Sequence, residues 1–234
     1  MAKRKTKSLA DFLPRRKEAR FIVQLFAEGE TEVQYLMDIA RGRDVRVNHV
    51  CVVSSPVLLL SRAFRWVVEN ASMLRKDGGR NRIWVIFDDD DKVVDMNAVA
   101  EMWAKCPELC MKECKIRDRN RCRYNDLFQR IKIGYVKPCI ELWALMCMDG
   151  VKGSVSDEKY PVDRHEIQSI LHKRMRTYVH DGHPYFDVAK MTGWFEACKQ
   201  ADLWSKSYAG FPDCLNATRY AGIYPLVKEI YGQV

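Results

Sequence analysis

Residues 83–91 read IWVIFDDDD, a run of β-branched and aromatic residues that stops at four consecutive aspartates. A continuous apolar run of this length, bounded by polar residues, predicts a strand buried on both faces. Upstream, FIVQLF (21–26) ahead of AEGE and VNHVCVVSS (47–55) have the same character, and downstream IKIGYV (131–136) repeats it. Helical spacing fills the gaps. Val33, Leu36, Met37 and Ala40 recur with that period after Thr31 and Glu32. Pro56 opens a second helix with Leu59, Leu60, Ala63, Val67 and Ala71 along one face. Residues 95–105 form a third, and Pro138 starts the apolar helix CIELWALMCM. Buried strands alternating with helices predict an α/β fold whose parallel sheet is covered on both faces.

From about residue 151 the patterns RHEIQSILHKRM and DVAKMTGWFEACKQADLW predict further helices. The chain therefore divides into a basic N-terminal arm (1–20), an α/β core (21–150) with a basic, cysteine-containing insertion (105–130), and a helical C-terminal part (151–234) packed on that core.

At 234 residues and 27.3 kDa, with 47% apolar and 30% charged side chains, the composition is that of an ordinary globular protein. No stretch of about 18 uninterrupted apolar residues exists, which excludes a membrane-spanning helix. The basic N-terminus lacks the apolar centre of a secretory signal, so a cytoplasmic protein with reduced thiols is expected from its nine cysteines. The net charge of +8 is concentrated in two places. Residues 1–20 carry eight Lys or Arg against Asp11 and Glu18, and residues 105–132 carry nine against four acids. Such patches suit a polyanion, since neutralised phosphates release condensed counterions. A solubilising tail and a solvated helix face are the plainer alternative.

In an open parallel sheet, ligands bind beyond the carboxyl ends of the strands. Two acidic clusters fall there: Glu28, Glu30 and Glu32 after the first strand, and Asp88 to Asp91 after the third. Right-handed crossovers keep both on the same edge of the sheet. Asp88 and Asp90 point one way in an extended chain, and Asp89 and Asp91 the other. A Glu beside an Asp-x-Asp pair offers the hard oxygen donors that Mg²⁺ prefers, with Mn²⁺ as a substitute. The alternative is an acidic turn that merely ends the strand and caps a helix.

Cys106, Cys110, Cys114 and Cys122 lie in the basic insertion. Thiolates bind Zn²⁺, but the spacing departs from a Cys-x₂-Cys knuckle, so thiols along one helix face are expected instead. No Gly-x₄-Gly-Lys-Ser/Thr string occurs, which argues against ATP hydrolysis by this chain alone.

EGETE after an apolar strand, then IWVIFDDDD, then KPCIELWAL, in that order, resembles the RloB-like family of bacterial defence proteins. The resemblance implies a compact TOPRIM-like fold, as in topoisomerases, primases and OLD-type nucleases, with a central parallel sheet flanked by helices and a helical C-terminal part. It implies that Glu28 is the TOPRIM glutamate and that Asp88 and Asp90 are the Asp-x-Asp metal pair, with Glu30 and Asp91 as second-choice ligands. The family's Ser-Asn-Pro-Cys-Phe-Glu-Leu-Trp block appears here as VKPCIELW, which keeps Pro138, Cys139, Glu141, Leu142 and Trp143 but not the Ser-Asn or the Phe. Glu141 is then either a third acid of the site or a carboxylate favoured by the helix macrodipole. Leu142 and Trp143 are expected in the core. Asn216 and Thr218 loosely match the family's Asn-Pro-x-Thr ending.

The function this implies is a Mg²⁺-dependent nuclease acting on DNA or RNA in antiviral defence, alongside an ATPase partner. Arg15, Arg16, Lys17, Arg117, Arg119, Arg121 and Arg123 would contact phosphates. The competing expectation is a non-catalytic nucleic-acid-binding or assembly subunit. A third class, nucleotidyl transfer or phosphatase action on a small substrate, would use the same metal and leave the basic arm without a role.

Overall fold

The computed structural model describes residues 18–89, 96–105, 121–149, 161–179 and 185–232. The strands are β1 (Phe21–Ala27), β2 (Val45–Val52), β3 (Asn81–Asp88), β4 (Ile131–Lys137) and β5 (Tyr220–Ala221). They form one sheet in the order β2-β1-β3-β4-β5, parallel throughout except for antiparallel β5. The described helices are α1 (Glu30–Ala40), α2 (Pro56–Glu69), α3 (Ala71–Leu74), α4 (Met96–Ala104), α5 (Asn125–Phe128), α6 (Ile140–Asp149), α7 (Arg164–Arg174), α8 (Trp194–Ser205) and α9 (Tyr224–Ile230). This mixed α/β arrangement is consistent with the TOPRIM-like architecture expected above.

Strand alternation sorts side chains between two cores. Trp84 and Ile86 face a core completed by α1, α6, α7, α8 and α9. Ile83, Val85 and Phe87 face the other, with α2, α3, α4 and α5. Burial on both faces explains why β3 is apolar throughout instead of alternating. Gly134 of β4 sits where a Cβ would come within 2.9 Å of Ile86, so a side chain there would overpack the sheet. Leu142 and Trp143 are fully buried, and the Trp143 indole N–H donates to the Tyr35 hydroxyl at 2.6 Å.

Two departures from the sequence reading have physical causes. Met37 is 47% exposed, whereas Tyr35 and Ile39 are buried. Phe186 packs edge-on against Tyr35 at 5.3 Å, and its N–H donates to buried Asp38 at 3.0 Å, so the covered stripe of α1 is turned away from Met37. The C-terminal part is also more than helical. It supplies β5, and its Ile167, Leu171, Tyr178 and Phe186 share a core with α1 and α6.

Candidate functional site

The parallel strands end together at one edge of the sheet, and acidic side chains gather there. Glu28 follows β1, its N–H continuing the ladder to the Ile86 carbonyl at 3.0 Å. Gly29 then caps α1, and the Glu32 carboxylate folds back to accept the Gly29 N–H at 3.0 Å. That bond, the acid's half of a capping box, turns Glu32 inward, leaving it 4% exposed, while Glu30 remains at the surface. A Cβ on residue 29 would lie 3.0 Å from that carboxylate, which would have to shift by a few tenths of an ångström to admit it.

Asp88 is the last residue of β3 and belongs by alternation to the face of Trp84 and Ile86, where α1 and α6 lie. Asp89 points the other way and pairs with the Lys137 ammonium at 2.8 Å. The opposite orientations expected for successive aspartates thus hold for this pair. Asp90 and Asp91 lie outside the described residues.

Glu141 occupies the first turn of α6, yet it is 1% exposed and does not face solvent as a helix-end acid would. The Tyr178 hydroxyl and the Gln168 amide, the latter at 3.2 Å, both donate to its Oε1. Gln168 belongs to α7 and Tyr178 follows it, so the C-terminal part holds this carboxylate in place.

These acids affect one another. Burial pushes the Glu32 carboxyl up to about 7, and the charges of Glu141 and Glu28 add to the rise. Burial also pushes Asp88 well up, reinforced by Glu32, Glu141 and Glu28, while the Arg164 guanidinium pulls it down. Arg164 opens α7 one turn before Gln168, on the same side of the helix. Cys139, buried beside Glu141 and Asp88, is pushed upward and stays a neutral thiol, unsuited to act as a nucleophile.

The donors are carboxylate oxygens, which suit a hard divalent cation. Among the described residues, however, no three His, Cys, Asp or Glu side chains are grouped so as to hold one ion.

The structure brings together Glu28, Asp88 and Glu141 and adds Glu32, Arg164, Gln168 and Tyr178, which the sequence reading did not select. For Glu32 the signal was present: an acid three residues after a helix-capping Gly reaches back to the cap. No comparable signal marked Arg164, Gln168 or Tyr178. Arg121 and Arg123 are exposed but lie elsewhere. Arg75 donates to the Arg123 carbonyl at 3.2 Å, close to where β3 and β4 begin. Strands of this length hold that edge roughly 20 Å from the carboxylates. Arg15, Arg16, Lys17, Arg117 and Arg119 lie outside the described residues, as do Cys106, Cys110 and Cys114. Cys122 is a buried free thiol.

A model of the RloB-like protein family matches residues 23–230, nearly the whole chain. No curated protein and no solved structure matches it. No described helix is long and apolar enough to cross a membrane.

Proposed function

The chain belongs to the RloB-like family, and from that membership together with its acidic sheet edge we propose that it is a divalent-metal-dependent nuclease of bacterial antiviral defence. The observation that carries this reading is the gathering of Glu28, Glu32, Asp88 and Glu141 at the carboxyl end of a parallel sheet, three of them buried. Buried carboxylates that raise one another's pKa are costly unless they share protons or bind a cation.

Glu28, Asp88 and Asp90 would hold Mg²⁺ or Mn²⁺. The chemistry such a cation would supply there is Lewis-acid stabilisation of the charge that develops on a phosphate. Glu28, partly accessible, would accept a proton from the attacking water or return one to the leaving oxygen. Glu141 is held by Tyr178 and Gln168 and keeps its orientation during that transfer. Arg164 supplies positive charge beside Asp88, suited to a phosphate oxygen. The basic arm would engage the substrate backbone, and an ATPase partner in the cytoplasm would gate activity, as the family resemblance implies.

A second reading, a nucleic-acid-binding subunit without turnover, is favoured by the described carboxylates not closing around an ion by themselves. A cleavage assay on labelled DNA, RNA and tRNA separates the two. Wild type and Asp88→Ala would be compared in Mg²⁺, Mn²⁺ or EDTA, with folding checked by circular dichroism. Cutting that needs the metal and drops by about 10³-fold or more in Asp88→Ala supports the nuclease. Nucleic-acid binding without cutting, unchanged by the substitution and with the ATPase partner present, supports the second reading.

A further inference from the structure

Strand β4 closes the parallel part of the sheet, and its outer side is only partly covered. β5 pairs with Val136 and Lys137, and the Gly222 N–H donates to the Tyr135 carbonyl at 2.8 Å. After Gly222 the chain turns into α9. By the two-residue period of a strand, the N–H and C=O of Ile133 point outward with those of Tyr135. They meet no hydrogen-bonding partner among the described residues. A groove of about 980 Å³ runs along this stretch, with Trp84 and Tyr224 on one side of the sheet and Leu74 and Leu127 on the other.

The charge lining this groove is mostly positive. Arg75, Arg82, Arg130 and Lys132 line it against Asp126 and Glu229. Arg82 is matched by Glu229 at 2.6 Å and Arg130 by Asp77 at 3.0 Å. Lys132 is exposed and makes no ion pair among the described residues. Among the described residues, Arg75 touches neutral groups, the Arg123 carbonyl and the Tyr124 ring, and makes no ion pair.

We propose that this edge takes up an extended, acidic peptide segment of another protein, added to the sheet as a strand beside β4. Main-chain hydrogen bonds at Ile133 continue the pairing that β5 begins, and alternate side chains enter the apolar walls on either side of the sheet. Carboxylates of the segment meet Lys132 and Arg75. A second copy of the chain is a poorer occupant, because pairing two such edges sets one cationic rim against another.

The test uses the full chain and an array of labelled peptides of about ten residues. One set alternates Glu or Asp with Val, Ile and Tyr, a second replaces the acids with Lys, and a third repeats the first with a central Pro. Fluorescence anisotropy is expected to show binding of the acidic set alone. Lys132→Glu should weaken that binding about tenfold and transfer the preference to the Lys set. Ile133→Pro, which deletes an outward N–H at an edge position, should abolish it. Should Ile133→Pro not fold, the Lys132→Glu reversal decides. The proposal is overturned if no acidic peptide binds or if binding ignores Lys132→Glu. It is equally overturned if light scattering shows a dimer that this substitution dissolves, or if the substitution weakens RNA or DNA binding and leaves the peptides untouched. None of these readouts involves cleavage, so they stand apart from the nuclease assay.

Discussion

At Glu32, burial, two neighbouring carboxylates and the amide of Gly29 act on one side chain. Its carboxyl is raised from 4.5 to about 7, which has a definite sign for stability. An acid with a folded pKa above its unfolded one costs nothing while both states are protonated. The cost grows as pH rises from 4.5 and is complete above about 7. Glu32→Gln keeps an oxygen for the Gly29 N–H and removes the charge. We predict that it stabilises the metal-free protein by on the order of 2–3 kcal/mol at pH 8, with little effect at pH 4, in urea denaturation with EDTA present. The same substitution should lower Mg²⁺ affinity, because the carboxylate that raises the local negative potential is gone. A titration of metal-induced change in melting temperature checks this.

The connection from α3 into β3 depends on one aspartate. In KDGGRN (76–81), Gly78 and Gly79 adopt φ of 59° and 80°, which side chains other than glycine's rarely tolerate. Asp77 ties this turn together, accepting from the backbone N–H groups of Gly79 at 2.9 Å and Asn81 at 3.0 Å, and from the Arg130 guanidinium. Asn81 in turn accepts from the buried Gln24 amide at 2.7 Å, so β1, β3 and the start of β4 are joined through one network. Burial would raise the Asp77 carboxyl, but Arg130 and Asn81 hold it down at about 2. Its contribution is therefore complete above the unfolded value of 3.8 and lost as pH falls through about 2. We predict that Asp77→Asn costs about 2 kcal/mol at pH 7 and that the difference from wild type shrinks toward zero near pH 2, as denaturation midpoints at the two pH values would show. An equal loss at both pH values would mean that shape, not charge, holds the turn.

Across the whole molecule, negative charge collects at the edge where the parallel strands end, and cations line the groove near the edge where β3 and β4 begin. Removing residues 1–17 deletes seven Lys or Arg and spares Arg20, whose guanidinium donates to the Glu229 carbonyl. If the arm follows a nucleic-acid backbone, the slope of log affinity against log salt should fall by about 0.7–0.9 for each phosphate that the truncated chain no longer neutralises, while Asp88→Ala leaves the slope unchanged. An unchanged slope after truncation would assign the arm to solubility. The strands β1, β3 and β4, the helices α1, α2 and α4 and the placement of Glu28 and Asp88 at one edge were legible in the residues, whereas the short helices α3 and α5 were not. Apolar continuity, helical period and crossover handedness are local or topological rules that a chain carries in its own order. The two-residue β5 carried no such pattern, since its pairing depends on β4, more than eighty residues earlier. The burial of Glu141 under Tyr178 and Gln168 and the exposure of Met37 were likewise decided by tertiary contacts, whereas the inward turn of Glu32 follows from its local bond to the Gly29 N–H. The sequence by itself determined which acids reach the edge of the sheet. Only the packing of the C-terminal part against α1 and α6 decided which are buried together, because burial and mutual repulsion depend on neighbours distant in the chain.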